Sequence, residues 1–148
     1  MIITQEIKME NIKLNDVIVC DDIRSEIGGK HTIVGLVNEL NAKVSKNFTG
    51  EAIFPLSFLF RTTNYKKDLK LKTIDICLLD DGKEILKRTV FIDPNKEPTR
   101  HFNISMIKEL IKIKKTTNIA FKLVVTNTEN KKCEIKTDYI FTVNLIKE

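Results

Sequence analysis

VIVCDDIRSEIGGKHTIVGLV, running from Val17 to Val37, is the stretch that decides the fold. Two strand-like runs flank Gly28-Gly29. A type I′ turn needs φ > 0 at both central positions, so a glycine pair between such runs signals a β-hairpin. With that pair as the turn, Ile27 faces Lys30, Glu26 faces His31, Arg24 faces Ile33 and Asp22 faces Gly35. Val19, Asp21, Ile23 and Ile27 then share one face with Val34 and Leu36, and Ile18, Cys20, Asp22, Arg24 and Glu26 share the other with Ile33 and Val37. Successive strand residues point to opposite faces. Asp21 and Asp22 therefore cannot both reach water in a regular strand. Either a carboxylate sits on an apolar face with a partner, Arg24 being the nearest for Asp22, or a bulge re-aims it.

Further along, the alternation recurs. Ala52–Thr62 puts Phe54, Leu56, Phe58 and Phe60 on one face, and makes the strongest core strand. Pro55 has no N–H for a ladder, which places it at an edge or near the start of its strand. Leu71–Leu79 and Glu84–Ile92 form a second hairpin around Asp81-Gly82, a register that pairs Asp75 with Arg88 and Cys77 with Leu86. Asp93-Pro94-Asn95 closes it. Asn118–Thr126 turns Ile119, Phe121, Leu123 and Val125 inward. Cys133–Ile146 reads as one last strand, with Ile135, Tyr139, Phe141, Val143 and Leu145 on one face. Residues 1–14 alternate weakly, Asn38–Thr49 is polar and turn-rich, and Thr99–Ser105 is a short strand. Two readings compete over 105–115. Met106, Ile107, Leu110 and Ile111 suit a short helix capped by Ser105, whereas Ile111 and Ile113 suit an edge strand; the helix is the favoured reading. The sum is an all-β chain, an antiparallel β-sandwich of about eight strands, with a closed barrel as the alternative.

The 148 residues fit a single domain, 1–148, long enough for a real core. Hydrophobic residues at 42% and charged residues at 30% are ordinary for a globular chain. The opening MIITQEIKMENIK lacks the basic-then-apolar pattern of a secretion signal. Cys20, Cys77 and Cys133 are odd in number and lack metal spacing, so they read as core thiols in a cytoplasmic protein. The net charge of +5 comes almost entirely from lysine in the C-terminal part, 65–148.

The run Val19-Cys20-Asp21-Asp22-Ile23-Arg24-Ser25-Glu26, followed by Gly29-Lys30 and Ile33-Val34-Gly35, resembles the opening of an uncharacterised family of small bacterial β-sandwich proteins. The resemblance covers about twenty residues. It implies a structural role for Asp21, Asp22, Arg24 and Gly35, and implies no activity.

Chemistry finds little foothold. Ser25, Ser45, Ser57 and Ser105 lie in no nucleophile elbow. Cys20 and His31 share a face but lie well apart along the hairpin, with no third group. Asp21, Asp22, Glu26 and His31 lie on a strand, where oxygen ligands diverge, so with Arg24 they read as a structural polar cluster and not as a metal site. Gly28-Gly29 lacks the pattern of a phosphate loop. Candidate nucleic-acid contacts are Lys66, Lys67, Lys70 and Lys72, then Lys108, Lys112, Lys114 and Lys115, with Tyr65 as the one adjacent aromatic; lysine runs of this kind usually form a solvated face. The expectation is a non-enzymatic protein-interaction or assembly module without cofactor, binding a protein partner or itself through edge strands and end loops. A nucleic-acid-associated protein is the alternative.

Overall fold

The computed structural model describes residues 12–28, 30–65, 70–93 and 101–148. Its strands are β1 (Ile12–Ser25), β2 (His31–Leu36), β3 (Glu39–Val44), β4 (Ala52–Asn64), β5 (Leu71–Asp80), β6 (Lys83–Phe91), β7 (His101–Ile113), β8 (Thr117–Asn127), β9 (Lys132–Lys136) and β10 (Phe141–Lys147). They form two sheets, as a sandwich requires. Sheet A runs β2-β1-β4-β7, and sheet B runs β3-β10-β8-β5-β6 with β9 also on β8. Every pairing is antiparallel except β3 with β10. Among the described residues there is no helix, and none is long and apolar enough to cross a membrane. Of the weakly alternating segment 1–14, residues 12–14 open β1; residues 1–11, the Pro94-Asn95 turn, Gly29, Lys66 and Lys67 lie outside the described residues.

The helix expected at 105–115 is instead the second half of β7. The cause is a bulge: Phe58 pairs with Met106, yet Leu56 pairs with Glu109, and Lys108 adopts φ 51° between them. The extra residue shifts the phase, so Met106 and Ile111, five apart, both reach the core. That shifted alternation imitates a helical spacing in the sequence.

The core forms where the inward faces meet. Phe58 and Phe60 of sheet A interleave with Phe121 and Phe141 of sheet B. Phe121 stands edge-on to Phe58 at 5.2 Å and to Phe60 at 5.1 Å between centroids. Such pairs contribute about 0.5–1.5 kcal/mol each beyond area burial. Phe54 is half-buried against the same cluster. Tyr139 leaves the expected inward face and is 60% exposed. Residues 137–140 break the predicted last strand into β9 and β10, which lie end to end along β8; Thr137 N–H bonds to Phe121 O and Ile140 N–H to Ile119 O across the break. The count rises from eight strands to ten by this break and by β3 inside the segment expected to be turn-rich.

The Asp81-Gly82 turn forms as predicted, with φ 48° and 84°, and Asp80 faces Lys83. Beyond it the expected pairs are displaced. Leu79 pairs with Glu84 but Leu78 with Leu86, so Ile85 is a bulge, and Asp75 meets Thr89 and Cys77 meets Lys87. Arg88 instead reaches across to β7 and grips Glu109 with two bonds, 3.1 and 2.9 Å, tying the margins of the two sheets together.

Candidate interaction surface

The β1–β2 hairpin is one residue out of the predicted register. Arg24 faces Thr32, Asp22 faces Val34 and Cys20 faces Leu36. Glu26 N–H bonds to Lys30 O at 2.8 Å, so three residues rather than two make the connection, with Gly28 at φ 84°. A three-residue connection with Gly28 left-handed replaces the two-residue turn.

The paired aspartates are accommodated by a break in alternation. Val17 and Val19 pack into the main core, while Ile18 and Cys20 pack on the opposite face with Leu59. Ile23 joins Cys20 in that second cluster although it lies three positions on, which a regular strand forbids. Opposite the break sits Gly35, with φ 68°, and the Asp21 carboxylate lies across it. A Cβ there would meet Asp21 Oδ2 at 2.1 Å. Asp21 is exposed and Asp22 only partly buried, so neither carboxylate is trapped in the core. Asp22 caps the Ile23 N–H at 3.0 Å and stands 4.0 Å from Arg24, which is largely exposed. Glu26 accepts from Thr32 Oγ1 at 3.1 Å. The buried Nδ1 of His31 has no hydrogen-bond partner among the described residues. The five residues therefore divide into a contact across Gly35, a loose ion pair and a bond to Thr32.

The face of sheet A turned away from the main core is more telling. Register fixes its members. Phe54, Leu56, Phe58, Met106, Ile111 and Ile113 point into the core, so Ile53, Pro55, Ile107, Leu110 and Lys112 point out. Leu36 shares this outer face through its pairing with Cys20. Leu36 (65%), Leu110 (59%), Ile53 (55%) and Ile107 (48%) are exposed, as is Pro55. They surround the buried Cys20, Ser57 and Leu59 over about three strand spacings, roughly 14 Å. Pro55 is tolerated because β1 pairs with β4 only from Ser57 onward. Ser57 pins the floor, its Oγ accepting from Lys108 N–H at 2.9 Å and donating to Asp21 O at 3.4 Å. These outer residues were missed in the sequence, though AIFPLSFLF carries the signal: it is apolar at both phases, the mark of a strand with two apolar faces.

The thiols offer no nucleophile. Cys20 donates to Ser57 O at 3.6 Å. Burial, then the Asp21 and Asp22 carboxylates, push its pKa up. Burial alone raises Cys133, and burial first and Glu84 second raise Cys77. A raised pKa keeps the thiol protonated and unreactive. A hydroxyl–imidazole contact exists between Thr63 Oγ1 and His101 Nδ1 at 3.0 Å, with Asn15 Nδ2 donating to the same hydroxyl at 2.7 Å, but Thr63 is 2% exposed and closed to a substrate. Among the described residues no three His, Cys, Asp or Glu side chains gather as metal ligands.

The described candidate lysines fall into separate groups. Lys70 and Lys72 lie where β5 meets the end of β8, with Lys72 bonded to Asn130 at 3.0 Å; Lys114 and Lys115 lie at the start of β8, with Lys114 near Glu51 at 3.9 Å. The length of β8 separates these groups by about 33 Å at ~3.3 Å per residue. Lys112 stands on the outer face of sheet A, and Lys108 at the β7 bulge. No protein-family model matches the chain, and no curated protein matches it either.

Proposed function

We propose that this chain is a non-enzymatic protein-interaction module of the cytoplasm that meets its partner through the outer face of sheet A. One observation carries the reading: Leu36, Ile53, Ile107 and Leu110 are all exposed, by 48–65%, on a single face. Scattered apolar side chains are normal on any surface, but a gathered group beside a sheet edge is a feature of protein contact sites. The exposed side chains stand on strands pinned by the Ser57 hydrogen bonds to Lys108 and Asp21, so little backbone ordering opposes docking. The basic Lys112 at the rim favours a partner whose apolar contact is bordered by acidic groups.

The test is a comparative capture from the native host, with the wild-type chain and a Leu36→Lys/Leu110→Lys variant as baits. Both sites are exposed, so the variant keeps its melting temperature within a few degrees. A protein retained by the wild type and lost by the variant is the expected result. Equal retention by both baits sinks the proposal.

A further inference from the structure

Sheet A ends at β2, and the backbone geometry there defines a second, narrower recognition element. The Glu26–Lys30 pair is hydrogen-bonded, and in antiparallel ladders bonded and non-bonded pairs alternate. Arg24–Thr32 and Asp22–Val34 are then bonded pairs, while Ser25–His31 and Ile23–Ile33 are not. The N–H and C=O groups of His31 and Ile33 therefore point away from β1, toward the side where β2 has no neighbour among the described strands. Water can hydrogen-bond to such a row, and an extended chain can pair with all of it at once.

The edges differ in how they are defended. β6 carries Lys83, Glu84, Lys87 and Arg88, β7 carries Lys108, Glu109, Lys112 and a bulge, and β3 carries Glu39 and Lys43. Charged side chains along an edge discourage pairing with a further strand. β2, HTIVGL, has no Lys, Arg, Asp or Glu and continues straight as far as the left-handed Gly35. One two-fold register uses all four outward groups: His31 opposite Ile33 of a second copy, and Ile33 opposite its His31. Thr32 then faces Thr32 across the axis as a non-bonded pair. In the same register Lys30 faces Val34 of the second copy, whose own neighbour is Asp22. That leaves Lys30 and Asp22 of opposite copies on one face, about 10 Å apart at the Cα atoms and within lysine reach. Each charge is matched by an opposite one.

We propose that this chain forms a two-fold dimer by antiparallel pairing of β2 with β2 of a second copy, centred on Thr32, which makes one eight-stranded sheet from two sheets A. The proposal rests on the interaction-module reading and names its partner as the chain itself. A single short edge buries less than the roughly 1,200 Å² of a stable complex, so the dimer is weak and concentration-dependent.

The test is site-directed cross-linking with analytical ultracentrifugation. Non-bonded antiparallel pairs bring Cα atoms to about 4.5 Å, inside the range a disulfide spans. Thr32→Cys, with an added oxidant to take up the two electrons and two protons, yields a covalent dimer. Val34→Cys does not, because the register sets it opposite Lys30. Cys20, Cys77 and Cys133 are buried and give little background. In parallel, the mass of the wild-type chain climbs from 17.1 kDa toward twice that as concentration rises, and Thr32→Lys abolishes the climb. Constant monomer mass with no link at position 32 overturns the dimer, as does equal linking at 32 and 34. Linking through Leu110→Cys in place of Thr32→Cys also overturns it, by moving self-association to the face. In each case the capture experiment with Leu36→Lys/Leu110→Lys decides the interaction reading separately.

Discussion

Replacing Phe121 by alanine isolates the contact on which both sheets depend. The ring is fully buried and stands edge-on to Phe58 and Phe60, so truncation removes two cross-sheet aromatic contacts and leaves a cavity between rigid layers. Phe→Ala changes in cores cost about 3–5 kcal/mol; with both partners anchored in sheet A, a value of about 4 kcal/mol is expected. At about 2.1 cal/mol/K per residue, unfolding 148 residues has an entropy of roughly 0.31 kcal/mol/K, so the melting temperature should fall by about 13 °C. Scanning calorimetry reads this directly. Phe91→Ala is the internal control: that ring is 80% exposed, and its loss should move the midpoint by less than about 2 °C. Phe58→Ala combined with Phe121→Ala should be non-additive, with a coupling of about 0.5–1.5 kcal/mol. A fall below about 4 °C for Phe121→Ala, or strict additivity in the double variant, would refute the interleaved core.

Gly35→Ala should destabilise the chain by about 2 kcal/mol, since φ 68° strains a residue bearing a Cβ and that Cβ would strike Asp21. Urea titration in an Asp21→Ala background should recover only the clash and leave the backbone strain; full recovery would show that the conformation itself costs nothing. For Cys133, the folded pKa lies above the ordinary thiol value of 9.0 because of burial. Its stabilising contribution is whole below pH 9.0 and declines as pH rises above it, when the unfolded chain releases a proton that the folded chain retains. The stability difference between wild type and Cys133→Ala should therefore narrow above pH 9.0, and a difference that stays constant to pH 10.5 would refute the assignment.

The sequence is most legible where alternation is unbroken. Phe58, Phe60, Phe121, Leu123 and Val125 are recognisable as inward-facing because nothing interrupts their period of two. Errors arise wherever one residue is inserted. The bulge at Lys108 turns a strand into an apparent helix, Ile85 displaces Asp75 from Arg88, and the break at 137–140 carries Tyr139 out of the core. A bulge has no composition of its own; it depends on what the neighbouring strand offers, here Ser57 Oγ for the Lys108 N–H. The Asp21-Asp22 pair is the exception, because two adjacent carboxylates in an apolar run expose the irregularity without reference to a neighbour. The outer face of sheet A was hidden for a different reason. Exposure depends on which apolar phase finds a second layer, and Ile53 and Phe54 differ only in that.

The single parallel pairing sets a timetable for biosynthesis. Among the described strands β3 borders β10 alone in sheet B, and its side-chain bonds run from Asn144 to Glu39 and to Asn41, partners 105 and 103 positions distant. A growing polypeptide emerging from the ribosome holds β3 without this neighbour until Phe141–Lys147 has been translated, and Phe141 reaches Phe58 at the same late moment. Closure of such remote segments is slow, and the waiting intermediate is open to mispairing with other nascent chains.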